Sequence, residues 1–131
     1  MINIVSIRQM VLEDVSKVAR VHEEVFVRQT LSRQWISCNF QAFPRIRYFV
    51  AEVDQDLVGY IQWTEKSGFR ADVVLELEQI AVMPSMQNKK IGTALILHSL
   101  PRLCNFFWLL SQIEPPRGNL NSQEGMFKPI L

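Results

Sequence analysis

Cysteine is scarce in this chain. Only Cys38 and Cys104 occur, in apolar sequence without metal-ligand spacing, so they read as buried thiols of a reducing compartment, and neither reads as a nucleophile. No metal site is expected. Charge of one sign is also missing: 14 Lys+Arg stand against 13 Asp+Glu, a net charge of +1, which gives no support for a nucleic-acid partner. The longest apolar tract, Phe106-Phe107-Trp108-Leu109-Leu110, falls far short of the ~20 residues a membrane-spanning helix needs. That excludes a membrane span, so no membrane partner is expected, and leaves a buried strand open. Met1 to Arg8 show no basic leader, no apolar run of signal length and no small-residue cleavage site, so export is not expected and the protein reads as cytoplasmic. Internal repeats and low-complexity tracts are absent as well.

What is present is the composition of a soluble globular domain, 48% hydrophobic and 21% charged over 131 residues. This length suits one domain. Within it, residues 1–104 read as the core, and 105–131 as an atypical strand and tail of the same unit. Residues 3–7 suggest a short strand. Val11, Val15, Val18, Ala19, Val21, Val25 and Phe26 recur at helical spacing, predicting an amphipathic helix over about 12–27. Leu31, Trp35, Ile36 and Phe40 predict a second short helix ending before Pro44. From Tyr48 the period changes to that of strands: 48–53, 57–63 and 73–82, joined as hairpins through Asp54-Gln55-Asp56 and the polar stretch 65–70. Pro84 ends the last of them. A helix from about Ile91 is expected to stop near Pro101, and Asn105 to Leu110 to supply a fifth strand. The order predicts an α/β fold, a mixed and largely antiparallel central sheet flanked by helices.

Ile80 to Leu95 read as strand, turn and helix start. Unpaired N–H groups at a helix start attract anions, aided by a dipole equivalent to about half a positive charge. Lys89 and Lys90 add attraction, Gly92 permits close approach and Thr93 offers a hydroxyl. The same residues read equally well as a packing glycine and a solvated lysine cap. No Gly-x-x-x-x-Gly-Lys-Ser/Thr run occurs, and no Gly-x-Gly-x-x-Gly follows the first strand, which disfavours nucleotide triphosphatases and dinucleotide dehydrogenases.

Leu77-Glu78-Gln79-Ile80-Ala81-Val82-Met83-Pro84, followed by Gln87-Asn88-Lys89-Lys90-Ile91-Gly92-Thr93-Ala94-Leu95, resembles the acyl-CoA motif of GNAT acetyltransferases, Gln/Arg-x-x-Gly-x-Gly/Ala. Arg8 with Asp14, the Phe49-Val50-Ala51-Glu52 strand and the Gly59-Tyr60-Ile61 strand fall where that family places them. The resemblance covers about residues 3–100. It implies acetyl-CoA as co-substrate, with the pantetheine arm along Ile80, Ala81 and Val82 as an added strand. The pyrophosphate would lie on the backbone from Gln87 through Asn88, Lys89, Lys90 and Gly92 to Thr93. Lys90 stands where the family has its first glycine, and if that position demands positive φ the lysine costs on the order of 1 to 2 kcal/mol.

Acetyl transfer needs a base, because only a neutral amine attacks a thioester. Glu76 and Glu78 share one strand face, and a carboxylate in a partly apolar cleft beside a like charge would have its pKa raised toward useful values. They are assigned jointly as catalytic, against a reading as two solvent-facing glutamates. His22 and His98 read as surface or packing residues. Trp35, Phe40 and Phe43 are candidates for the wall of an acceptor pocket, and equally for core. After the motif, members of the family carry a tyrosine that protonates the leaving thiolate. Here Met126 and Phe127 stand where it would be sought, and Glu114-Pro115-Pro116-Arg117-Gly118 breaks the pattern. A missing fifth strand would leave the fourth strand's edge open and invite a homodimer. The leading expectation is an N-acetyltransferase acting on an amine-bearing small molecule or protein. An acyl-CoA-binding or protein-interaction module without turnover is the alternative, and a structural domain that binds no CoA the third.

Overall fold

The change of period at Tyr48 marks the entry into the central sheet. The computed structural model describes residues 4–66, 72–113 and 127–130. The chain opens with β1 (Val5–Gln9), a single 3-10 turn at Leu12–Asp14, α1 (Val15–Val25) and α2 (Ser32–Gln41). Three strands follow, β2 (Ile46–Val53), β3 (Asp56–Glu65) and β4 (Val73–Val82), then α3 (Ile91–Ile113) and β5 (Phe127–Ile130). The sheet order is β1-β2-β3-β4-β5. The first four strands are antiparallel neighbours, and β5 joins β4 in parallel.

Alternation along β2 sorts the core into two layers. Tyr48 and Val50 face α1 and α2 with Val18, Val21, Ile36 and Tyr60. Phe49 and Ala51 face α3 with Ile61, Trp63, Leu95 and Leu103. The β2–β3 turn places Asp54 at φ 51° and Gln55 at φ 68°, the two left-handed positions of the hairpin turn that matches strand twist. Gly59 is required by contact: a Cβ there would lie 2.9 Å from the Ala81 carbonyl oxygen. Arg8 on β1 grips Asp14 through Nη1–Oδ2 at 2.7 Å and Nη2–Oδ1 at 2.8 Å, and also bonds Glu52. Asp14 additionally accepts from the Val11 N–H at 2.9 Å, fixing the entry into α1.

Two expectations are corrected in the last helix. It does not stop near Pro101, and Asn105 to Leu110 are helical rather than a fifth strand. An interior proline costs about 3 kcal/mol. Packing outweighs it, because Leu95, Ser99 and Leu103 form one fully buried stripe that crosses Pro101, with Ser99 Oγ accepting from the Trp63 indole N–H at 2.8 Å. The thiols are corrected too: Cys38 is exposed and Cys104 half-buried, both free. Instead of an entirely open edge, β4 pairs with β5 from Val73 to Glu76. Residues 77–82 have no strand partner on that side among the described residues. Residues 114–126, which include the 114–118 break and Met126, lie outside the described residues, and Phe127 begins β5. No helix among the described residues is long and apolar enough to cross a membrane.

Candidate active site

The loop leaving β4 has an unusual backbone. After a 3-10 turn at Pro84–Met86, Gln87 is extended (φ −70°, ψ 159°), and Asn88 and Lys90 both take left-handed conformations at φ 64° and 63°. Left-handed residues set between right-handed or extended ones turn successive N–H groups toward a common point and make an anion-binding concavity. The first helical bond of α3 with the Lys90 carbonyl as acceptor comes from Ala94, at 3.0 Å. The N–H groups of Ile91, Gly92 and Thr93 therefore belong to the helix's unbonded first turn. Gln87 ties the loop down by donating from Nε2 to the Val82 carbonyl at 3.0 Å. Asn88, Lys89, Lys90 and Thr93 are exposed around the concavity.

Gly92 separates the two readings of this segment. A Cβ built there would meet only Ile80 Cδ1, at 3.6 Å, an ordinary contact. Packing of helix on strand does not require a glycine. A glycine in a helix costs about 1 kcal/mol relative to alanine, and the packing around Gly92 gives no reason for it.

Upstream, β4 carries a bulge. Gln62 pairs with Gln79, and Trp63 with Leu77, so Glu78 is the extra residue. The alternation resets there: Leu75 and Leu77 before it, Ile80 and Val82 after it, all face α3. Glu78 and Gln79 thus both face the α1–α2 side. They lie in the floor of a cleft of about 500 Å³, whose rim includes Arg28, Thr30, Trp35 and Asn39. Hydroxyls from buried side chains hold the floor. Thr64 donates to Glu78 Oε2, Tyr60 donates to Gln79 Oε1 at 2.7 Å, and Tyr48 donates to Gln62 Oε1 at 2.8 Å. Burial pushes both tyrosine hydroxyls well above their ordinary titration range, so they serve as protonated donors at any physiological pH.

The sequence-derived site residues divide between these two features. Gln87, Asn88, Lys89, Lys90, Gly92 and Thr93 span the loop with its two left-handed residues and the first turn of α3. Ile80, Ala81 and Val82 occupy the β4 edge that β5 leaves open. Glu78 is in the cleft, whereas Glu76 points to solvent within 3.4 Å of the Lys66 ammonium. Both glutamates are exposed, so the partly apolar surroundings expected for them are not what they have. Trp35 lines the cleft. Phe40 packs on the α1–α2 core, and Phe43 lies elsewhere, 5.2 Å from the Arg47 guanidinium. His22 is buried, 2.6 Å from Ser32 Oγ between α1 and α2; His98 is exposed on α3. Gln62 and Gln79 were not singled out from sequence. For Gln79 the signal was the polar pair Glu78-Gln79 between Leu77 and Ile80, a break in alternation that marks a bulge; Gln62 is found only through the register that pairs it with Gln79.

The profile of the acetyltransferase (GNAT) family matches residues 12–106. The chain belongs to the GNAT family. A search of curated protein sequences finds no match. Solved structures supply the comparison at the level of fold. A GNAT family acetyltransferase from Brucella melitensis, determined with acetyl-CoA, is 23% identical with a TM-score of 0.64, covering 79% of this chain and 70% of that one. The aminoglycoside N-acetyltransferase AAC(6')-Iy in complex with CoA is 18% identical with a TM-score of 0.65, covering 86% and 74%. A glucosamine N-acetyltransferase region of a fungal multi-domain β-N-acetylglucosaminidase is 20% identical with a TM-score of 0.68, covering 78% of this chain and 12% of that larger one. This GNAT chain therefore has its concavity at the helix start that follows the motif strand, with the cleft on the α1–α2 side of the same strand.

Proposed function

We propose that this GNAT protein is an N-acetyltransferase that moves an acetyl group from acetyl-CoA to a primary amine of a small molecule or protein. The backbone concavity at 87–93 beside a glycine that packing does not require carries the reading. The donor set fits the group: consecutive N–H groups, two lysines and the Thr93 hydroxyl suit a pyrophosphate, and the edge at 80–82, without a strand partner on that side among the described residues, suits the amides of a pantetheine arm. The solved relatives bound to acetyl-CoA and CoA add support.

Acetyl-CoA supplies an activated thioester. The chain's task is to orient an amine and remove its proton. One ammonium proton passes to a carboxylate directly or through water, the neutral nitrogen forms the C–N bond as the C–S bond breaks, and the nitrogen's second proton goes through water to the departing thiolate, which leaves as the thiol. Glu78 is the better placed acceptor of that proton, since it lies in the cleft floor and Thr64 holds one of its oxygens. Glu76 remains the second candidate on the same face.

Calorimetry with acetyl-CoA, followed by thiol release across a panel of amines, tests the proposal. Binding with turnover is expected. Binding without turnover of any amine would make this an acyl-CoA-binding module, and no binding would remove the reading altogether.

A further inference from the structure

The bulge sets two chemically opposite groups side by side. Glu78 and Gln79 are consecutive, Gln79 pairing with Gln62 and Glu78 being the bulged residue, and both line the cleft. A glutamate carboxylate, when ionised, only accepts hydrogen bonds, whereas a glutamine amide has one acceptor and two N–H donors. At Gln79 the acceptor is engaged, because Oε1 takes the Tyr60 hydroxyl at 2.7 Å. Tyr60 is wholly buried and its ring packs 5.9 Å from that of Tyr48. Its hydroxyl is thus held in place, and among the described residues nothing takes the glutamine's two N–H groups. The same arrangement recurs one strand over, where Gln62 Oε1 takes the Tyr48 hydroxyl.

We propose that the cleft selects a primary amine carrying an oxygen acceptor on the neighbouring carbon, with the nitrogen at Glu78 and the oxygen read by Gln79. The inference rests on the acetyl-transfer reading of this site and deepens it by naming the acceptor class. A plain alkylammonium matches the carboxylate and gives the amide donor nothing, while desolvating it. A polyamine needs several anions, and among the described residues the cleft lining holds one carboxylate together with the cation of Arg28. A hydroxyl beside an amine and a carbonyl beside an amine present the same pair of groups. Trp35, 60% exposed at the rim, adds a flat apolar surface for the carbon skeleton.

The test uses the full chain saturated with CoA and measures by calorimetry the affinity for two matched pairs, glucosamine against cyclohexylamine and glycinamide against ethylamine. The oxygen-bearing member of at least one pair is expected to bind about tenfold tighter or more, the equivalent of about 1.4 kcal/mol. Preference in the first pair alone assigns the oxygen to a hydroxyl, in the second alone to a carbonyl. In a folded Gln79→Leu variant the preference should fall severalfold, and Tyr60→Phe, which keeps the ring and frees the amide, should narrow it. No preference in either pair, no binding of any probe, or an undiminished preference in Gln79→Leu would overturn the proposal. Because binding is the readout, discrimination without thiol release from acetyl-CoA would keep this inference and end the catalytic one. Thiol release without discrimination would do the reverse.

Discussion

Lys90 holds a left-handed backbone conformation two residues before Gly92, which has none. The position that calls for a glycine has a lysine, and the position with room for a methyl group has the glycine. An L-residue in this region costs on the order of 1 to 2 kcal/mol. Lys90→Gly is therefore expected to raise stability by about 1 kcal/mol, part of the relief being offset by the greater freedom of glycine in the unfolded chain. Acetyl-CoA affinity at moderate salt should hold or rise. Denaturant titration and calorimetry check both; a tenfold loss of affinity would show that the lysine's charge outweighs its strain.

The second strained turn behaves alike. Gln55 at φ 68° fills a hairpin position that favours glycine. Gln55→Gly should stabilise by about 1 kcal/mol, read as a higher urea midpoint with unchanged slope. A lowered midpoint would contradict the assignment.

Asp14 makes stability depend on acid. The doubly bonded Arg8 guanidinium holds its carboxyl below the ordinary aspartate range. A group whose folded pKa is depressed stabilises above its unfolded pKa, about 3.9 for aspartate, and loses that contribution as pH falls toward the folded value. Asp14→Asn should cost about 2 kcal/mol at neutral pH, and the gap to the parent should close below about pH 4. A gap that stays constant down to pH 2 would contradict the ion pair's role.

Much of this was legible in the sequence because hydrophobic period changes are local. The four antiparallel strands, the two early helices and the strand–loop–helix of the motif follow from such changes. Pro101 misled because its penalty is local while the buried stripe Leu95, Ser99, Leu103 is tertiary. The run after Asn105 was ambiguous because short apolar segments read alike as strand and buried helix. In the site, the positive φ at Lys90 could be anticipated only through a resemblance. The hydroxyls behind Gln62, Gln79 and Glu78 come from β2 and β3, distant in sequence, and the sheet register alone brings them there.

If the protein turns over an amine, Glu78→Gln should lower kcat by about 10² to 10⁴-fold with acetyl-CoA affinity nearly intact. The loss should shrink as pH rises, because the amine increasingly arrives neutral. Glu76→Gln, beside Lys66 and out of the cleft, should lower it less. Equal rates for both variants and the parent at neutral pH would end the carboxylate mechanism and favour deprotonation by solvent.

The central claim is that phosphates of acetyl-CoA sit against the backbone at Gly92, and its most direct test is the calorimetric affinity of the parent, Gly92→Ala and Gly92→Asp. Gly92→Ala should leave stability unchanged or raise it by up to about 1 kcal/mol, since its Cβ meets only Ile80 at 3.6 Å, and yet weaken acetyl-CoA binding. Gly92→Asp, adding bulk and like charge, should weaken it by at least about tenfold, the equivalent of about 1.4 kcal/mol. A folded Gly92→Asp that binds acetyl-CoA as the parent does, or a parent that does not bind it, would contradict the account.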